Sequence, residues 1–298
     1  MTSNQADFDK FWRTLSRDMT NQPLQLSVEE DSFYTQPEWT VYRMHYAGLD
    51  GYPLFAWVSI PRRSAGRQPP PALLRMPDYG SVHDIVYTPL RHDAIVMNAT
   101  HRGQRNSDSG FQAQYPGLLT EGIDRPETFV MLRVFADAIR AVDALLSWIG
   151  GDTARPLVLT GSGLGGALAL ATATRYPQVK GVAADTPLAL GHPRAIDGTS
   201  YPLAEMADYL RVYPHRRDAL LANTAPLNPV VIAAKVDVPV LLSVGRRDRG
   251  QCPLSIGEEL AAALSNCDLR VYDGGSEGGG HPHGAVKAAW FREQLGLA

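Results

Sequence analysis

Short apolar runs recur through most of the chain, and segments with the period of amphipathic helices separate them. Buried parallel strands joined by crossover helices produce this alternation. The pattern therefore predicts an α/β fold with a central, mostly parallel sheet flanked by helices. The predicted strands of this sheet are Ala72–Met76, Ala94–Met97, Leu157–Leu159, Val182–Ala184, Val238–Val244 and Leu269–Tyr272.

The first 60 residues predict a helix and a hairpin. The segment Phe8–Met19 has the pattern of an amphipathic helix. Two later runs, Trp39–Tyr46 and Leu54–Ile60, are predicted strands, and the Asp50-Gly51 pair between them is a strong signal for a hairpin turn.

The clearest helical pattern follows Asp124. The side chain of Asp124 can cap a helix in which Glu127 stands three positions on, and Gly150-Gly151 predicts the end of the helix. The apolar face of this predicted helix contains Phe135, Ile139, Val142, Leu146 and Ile149.

Residues 188–234 interrupt the alternation of strands and helices. This segment is rich in Pro, Tyr and Arg and predicts short helices, which suits a lid over a site better than another strand of the sheet. We therefore predict a single domain over residues 1–298, with the helix and hairpin in residues 1–60 and a lid insertion at about 188–234.

The segment Leu157–Ala167 predicts a strand, a sharp turn and the start of a helix, which is the shape of a nucleophile elbow. An elbow needs small residues two positions before and two positions after its tip, and Gly161 and Gly165 meet this need. The tip then falls on Gly163. Because glycine has no side chain, this position offers no nucleophile.

Further motifs follow one another along nearly the whole chain. They are Phe8-Asp9-Lys10-Phe11-Trp12, Pro77-Asp78-Tyr79-Gly80, Arg102-Gly103-Gln104, Gly122-Ile123 with Pro126-Glu127-Thr128, Arg133-Val134-Phe135-Ala136-Asp137-Ala138, Ser243-Val244-Gly245 with Asp248, and Glu277-Gly278-Gly279. Together they resemble the acetyl xylan esterase and cephalosporin C deacetylase family of serine carbohydrate esterases. The resemblance implies an α/β-hydrolase fold and a symmetric homo-oligomer, with a hexamer as one form.

The resemblance also implies which catalytic positions have changed. The family elbow reads Gly-x-Ser-Gln-Gly-Gly and its late motif reads His-Glu, so Gly163 stands at the nucleophile position and Ser276 at the histidine position. Of the implied triad only Asp248 remains. The backbone N–H groups of Tyr79 and Leu164 correspond to the oxyanion hole, which a change of nucleophile side chain does not remove.

Other side chains near these motifs allow more than one interpretation. Ser162 could act as a displaced nucleophile, but the small position two residues after it would then be Leu164, which is too bulky. His281 and His283 follow Ser276, and each either reaches the vacant histidine position or lies in solvent.

Three further assignments concern charged and polar residues. Asp248 is either a general base or an anion paired with a neighbouring arginine, Arg246, Arg247 or Arg249. Glu277 is either a buttress for its loop or an acid/base group. Arg102 and Gln104 are expected to brace loops beneath the site, as the resembled family's motif does.

The composition of the chain indicates which classes of binding partner to expect. The net charge of −3 provides no electrostatic basis for binding nucleic acid or an anionic membrane, so a small-molecule substrate is expected. Neither a signal peptide nor an apolar membrane segment is found, which predicts a cytoplasmic protein. Cys252 and Cys267 are too few for a disulfide framework, and the spacing of Cys and His suggests no metal; no cofactor is expected.

Three functions are consistent with this sequence. The first is a non-hydrolytic enzyme, such as a cyclase, lyase or isomerase in a biosynthetic pathway, that binds a carbonyl compound in the retained oxyanion hole. The second is a diverged esterase with rewired catalytic residues. The third is a catalytically inactive binding or scaffold protein.

Overall fold

The computed structural model describes residues 3–62, 69–80, 85, 88–108, 110–114, 116–150 and 155–297. Its strands form one nine-stranded sheet in the order β1-β2-β3-β5-β4-β6-β7-β8-β9. The strands are β1 (Ser27–Glu30), β2 (Trp39–Ala47), β3 (Pro53–Pro61), β4 (Ala72–Arg75), β5 (Ile95–Ala99), β6 (Leu157–Ser162), β7 (Val179–Asp185), β8 (Val240–Gly245) and β9 (Cys267–Tyr272). Strands β4 to β9 are parallel, and β1, β2 and β3 extend the sheet in antiparallel pairs. The predicted α/β class and the six predicted sheet strands are confirmed.

Helices cover both faces of this sheet. They are α1 (Ser3–Thr20), α2 (Val130–Ile149), α3 (Leu164–Ala173), α4 (Ala204–Val212), α5 (Arg217–Thr224), α6 (Pro229–Ala233), α7 (Leu254–Ala263) and α8 (Gly280–Gln294). Neighbouring residues of β6 belong to the two hydrophobic cores on opposite faces of the sheet. Leu159 belongs to the large core under α2 and α3, whereas Val158 belongs to the smaller core under α8 with Phe291. Burial of these side chains stabilises the layers by roughly 1.5–3 kcal/mol for each large apolar residue.

The predicted hairpin is present. Strands β2 and β3 pair antiparallel along their whole lengths, and a short 3-10 turn at Leu49–Gly51 joins them. Asp50 takes a φ of 61° in this turn, a conformation that Asp tolerates better than most residues.

The helix predicted after Asp124 starts later than the capping pattern indicated. Helix α2 begins at Val130 without a side-chain cap, and residues 120–129 form turns. The carboxylate of Asp124 accepts hydrogen bonds from Tyr209 and Arg216 instead, so it is not free to cap a helix. The predicted apolar face is correct at its centre, where Phe135, Ile139 and Val142 are buried.

Residues 188–234 contain helices α4, α5 and α6 with short 3-10 turns. This segment contacts the loops that follow the strands, for example through the amide of Leu203, which donates to the carbonyl of Gly250 at 3.2 Å. Its role as a lid stays a prediction. None of the helices in the described ranges is both long enough and apolar enough to span a membrane.

Candidate active site

The strand, turn and helix of the predicted elbow are formed by β6, Gly163 and α3. Gly163 has φ 53° and ψ −120°, a conformation that favours glycine. A Cβ on Gly161 would overlap the backbone of Gly165, and a Cβ on Gly165 would lie 2.7 Å from the carbonyl oxygen of Met76. The close approach of strand and helix therefore depends on these two glycines, as an elbow requires.

The space beside the elbow tip is filled by two protein side chains. A Cβ built on Gly163 would overlap Oε1 of Gln251 and Oδ1 of Asp78, closer than any non-bonded contact. Gln251 is held by Thr186, whose hydroxyl lies 3.3 Å from the same Oε1. A side chain at position 163 would thus require both neighbours to move.

The two predicted oxyanion amides converge on a single point, and Asp78 occupies that point. The amides of Tyr79 and Leu164 donate to Oδ1 of Asp78 at 2.7 and 3.0 Å. Sequence analysis singled out Tyr79 but not the residue before it. The sequence did contain a signal for this contact, because the acidic Asp78 stands directly before Tyr79, one of the two residues whose amides were expected to bind an anion.

Burial raises the pKa of Asp78 above its ordinary value, although the two amides and the nearby Arg75 partly oppose this effect. The backbone of Asp78 is fixed as well, because Nε2 of Gln104 donates to its carbonyl oxygen at 2.7 Å. Arg102 lies deeper and makes a bidentate ion pair with the buried Asp137, at 2.7 and 2.8 Å. By these contacts Gln104 holds the turn that contains Asp78, and Arg102 ties its own loop to α2; their assignment as structural supports stays a prediction.

The side chain of Asp248 points toward the backbone of the loop that follows it. Its carboxylate accepts hydrogen bonds from the amides of Gly250, Gln251 and Cys252 at 2.9, 3.0 and 3.0 Å. None of the three arginines considered as partners supplies these contacts; Arg246, for example, pairs with Asp273. The carboxylate therefore shapes the loop that presents Gln251 to the elbow.

The late loop brings the remaining candidates to different places. Ser276, Glu277 and His281 are exposed, and Oε2 of Glu277 accepts from the amide of Gly275 at 2.9 Å. His283 lies in α8 and is almost fully buried. The two histidines therefore do not share a position: one faces solvent and the other faces the sheet.

His283 belongs to a buried cluster around Asp185 on the α8 face of the sheet. Its Nδ1 lies 2.8 Å from the hydroxyl of Tyr272, and its Nε2 lies 3.1 Å from Oδ1 of Asp185, at ion-pair distance but without the alignment of a hydrogen bond. Lys287, one helical turn after His283, also pairs with Asp185. This spacing of four residues, which places both side chains on one helix face, was not among the sequence-based predictions.

The same carboxylate contacts two hydroxyl groups. Ser243 donates to Asp185 at 3.0 Å and Ser162 at 3.5 Å. Burial raises the pKa of Asp185, but His283 and Lys287 outweigh burial, and the net shift is downward. Ser162 therefore contacts a charged cluster behind the elbow rather than the Tyr79 and Leu164 amides.

The Tyr79 side chain links the oxyanion turn to α4. Its hydroxyl donates to Glu205, and the other carboxylate oxygen of Glu205 accepts from the amide of Leu119 at 2.9 Å. Burial raises the pKa of Glu205, and these hydrogen bonds partly oppose it. Tyr79 also lines a cavity of about 520 Å³, which Gly163 does not line.

No metal site is evident in the part of the chain that the structure describes, since no three His, Cys, Asp or Glu side chains there lie close enough together to hold an ion.

The sequence matches one known protein family along nearly its whole length. The sequence model of the acetyl xylan esterase (AXE1) family matches residues 1–295. Acetyl esterase Axe7A of Xylanibacter ruminicola is 27% identical over 277 residues, which cover 85% of this chain but only 58% of that protein. This chain therefore spans less than two thirds of that relative.

Two solved structures cover nearly the whole chain. The acetyl xylan esterase from Paenibacillus sp. R4 aligns with a TM-score of 0.87 at 24% identity, covering 100% of this chain and 96% of that one. Acetyl Xylan Esterase 1 from Thermoanaerobacterium sp. JW/SL YS485 aligns with a TM-score of 0.85 at 22% identity, covering 97% and 93%. These likenesses establish the α/β-hydrolase fold.

Proposed function

Because the chain belongs to the acetyl xylan esterase family, we propose that it is a non-hydrolysing member, which binds a neutral small molecule without cleaving an ester. One observation carries the proposal: the tip of the elbow is Gly163, which has no side chain, and the ends of the Asp78 and Gln251 side chains lie in the space beside it. A serine esterase needs a hydroxyl at the elbow tip and a base that takes its proton. Here the tip is Gly163, and the residue that the family resemblance implies at the position of the base is the exposed Ser276.

The occupied amides support the same proposal. A water molecule that attacked an ester would still need donors for the developing oxyanion, and the loss of one donor typically costs about 10²–10³ in rate. The amides of Tyr79 and Leu164 already bind Asp78. Ester cleavage would require this side chain to leave first.

The cavity beside Tyr79 is the proposed ligand site. Its volume of about 520 Å³ lies in the usual range for small-molecule sites. The rings of Tyr79 and Phe111 line it together with the amide of Gln112 and the exposed carboxylate of Asp108, both of which can accept hydrogen bonds from hydroxyl groups. The charge of Arg102 is neutralised by its buried partner. This lining fits a neutral, hydroxyl-rich compound such as a xylo-oligosaccharide, in keeping with the names of the relatives.

Two assays on purified protein test the two parts of this proposal. We expect hydrolysis of p-nitrophenyl acetate at the rate of buffer alone; turnover above buffer would refute the non-hydrolysing assignment. We expect calorimetry to detect xylotriose binding that Phe111→Ala weakens at least about fivefold. The matched control is Phe33→Ala, because Phe33 is 81% exposed and does not line this cavity. Equal affinity in both variants would refute the cavity as the ligand site.

A second candidate is the carbonyl-binding cyclase, lyase or isomerase, and the convergence of two amides on one oxygen favours it. Such a pair can stabilise an enolate once Asp78 has moved away. The raised pKa of Asp78 would suit proton transfer. Asp248 and His283 are engaged elsewhere, so this geometry favours Asp78 over them as the proton-transferring group.

Proton exchange distinguishes this second candidate from a binding protein. Deuterium uptake from solvent into dihydroxyacetone, followed by NMR, should exceed the buffer rate and fall by about 10²–10⁴-fold in Asp78→Ala if the second candidate is right. Uptake at the buffer rate would favour the binding protein.

The symmetric homo-oligomer, up to a hexamer, and the cytoplasmic location are also proposals. Sedimentation equilibrium tests the first, and fractionation of the producing cells tests the second.

A further inference from the structure

We infer that Asp78 is a tethered ligand of the oxyanion amides, whose carboxylate keeps free small carboxylates such as acetate out of the site. The inference rests on the proposed non-hydrolysing function and deepens it, because it names the ligand class of the amide pair and the group that controls access.

The first support is the identity of the bound atom. Two amides from separate elements, Tyr79 on the turn after β4 and Leu164 at the start of α3, donate to the same oxygen of Asp78. Hydrogen bonds from backbone N–H groups to a carboxylate oxygen are charge-assisted, and each is about twice as strong as a hydrogen bond between neutral groups. The amide pair is therefore already in the geometry of a carboxylate complex.

The second support is confinement. Gln104 fixes the Asp78 backbone, and Gln251 adjoins its carboxylate across the space above Gly163. A ligand attached by so short a tether acts at a millimolar or higher effective concentration. Free acetate at lower concentration cannot displace it.

The third support is charge. Arg75 lies near enough to lower the pKa of the Asp78 carboxylate, which otherwise rises with burial. Removal of Asp78 would take the anion away from two inward-facing amides, whereas Arg75 would keep Asp185 as an anionic neighbour. A free monocarboxylate restores both the hydrogen bonds and the charge, whereas a neutral amide restores only the hydrogen bonds.

The test is a titration of the full-length protein with ¹³C-labelled acetate, observed by NMR. We expect Asp78→Ala to bind acetate at least tenfold more tightly than the wild type. Asp78→Asn keeps an acceptor without the charge and should lie between them. Asp237→Ala is the matched control, because Asp237 is exposed and lies outside this site; it should bind like the wild type.

Other outcomes would overturn the inference. Equal acetate affinity in folded Asp78→Ala and the wild type would do so, as would equal affinity of Asp78→Ala for acetate and acetamide. If Asp78→Ala fails to fold, Asp78→Ser carries the same expectation. Ester hydrolysis by the wild type would refute the proposed function alone, since acetate binding is measured without any ester.

Discussion

The amide of Leu164, the first residue of α3, donates to Oδ1 of Asp78 at 3.0 Å. This contact ties the helix that follows the elbow to the turn that follows β4. The same oxygen lies within overlap distance of the point where the Cβ of a residue at position 163 would stand, and Oε1 of Gln251 lies equally close to that point. The carboxylate of Asp78 thus binds the oxyanion amides and also lies beside the nucleophile position of the fold.

Restoration of esterase activity should therefore require three substitutions. We expect Gly163→Ser with Ser276→His to remain nearly inactive, because Asp78 still occupies both oxyanion amides. Addition of Asp78→Gly should raise hydrolysis of p-nitrophenyl acetate by at least about 10²-fold over the double variant, the usual effect of one recovered oxyanion donor.

The control for this series adds Asp237→Gly to the double variant in place of Asp78→Gly. Asp237 is exposed, so activity should stay at the level of the double variant. A double variant that hydrolyses the ester as fast as the triple variant would show that Asp78 is no obstacle.

The effect of Asp78 on stability should depend on pH. Its pKa is raised in the folded protein, so its contribution to stability is complete below the unfolded value of about 4 and is lost as the pH rises through the folded value. Asp78→Asn does not titrate. The free energy of unfolding of the variant, relative to the wild type, should therefore increase between pH 4 and pH 7.5 in urea titrations; a difference that is constant with pH would be inconsistent with the raised pKa.

The buried cluster behind the elbow should show the opposite pH dependence. Lys287→Met removes one cation from Asp185 and should cost about 1–3 kcal/mol at pH 7, since His283 remains as a partner. Asp185 has a lowered pKa, so this stabilisation is present above the unfolded value near 4 and disappears as the pH falls through the folded value.

Urea unfolding at pH 7 and pH 3 measures this effect. Lys180→Met is the control, because Lys180 is exposed and donates only to a carbonyl of its own turn. A cost for Lys287→Met that is no larger than the cost for Lys180→Met would contradict the cluster's contribution.

The link between the oxyanion turn and α4 should also be measurable. Tyr79→Phe removes the hydroxyl that donates to Glu205, and we expect a loss of about 1–2 kcal/mol with faster hydrogen exchange in α4 and at the Leu119 amide. Tyr213→Phe is the matched control on the exposed end of α4. Unchanged exchange in α4 would show that Tyr79 does not hold this helix in place.

Local patterns predicted the backbone of this protein well. Apolar runs identified the six parallel strands, and the glycine spacing placed the elbow tip at Gly163, because both depend on neighbours in sequence. The pairing of the Tyr79 and Leu164 amides was implied by the family resemblance, and the structure brings both amides to one oxygen.

Side-chain positions that depend on distant segments were not predicted. The carboxylate of Asp78 reaches an amide 86 residues away. Asp124 resembled a helix cap in sequence, but Arg216 and Tyr209 approach it from a segment 85 or more residues later. The sequence pattern would suggest that serine and histidine at positions 163 and 276 are sufficient for activity, whereas the filled space at the tip predicts that they are not.

The elbow of the wild-type protein holds no nucleophile at its tip. Intact-mass spectrometry after incubation with a fluorophosphonate probe detects such a nucleophile, with the variant Gly163→Ser, Ser276→His, Asp78→Gly as the positive control. We expect no mass increase for the wild type and one adduct for the control. A stoichiometric adduct on the wild type, mapped to Ser162, would show that the elbow has a working nucleophile.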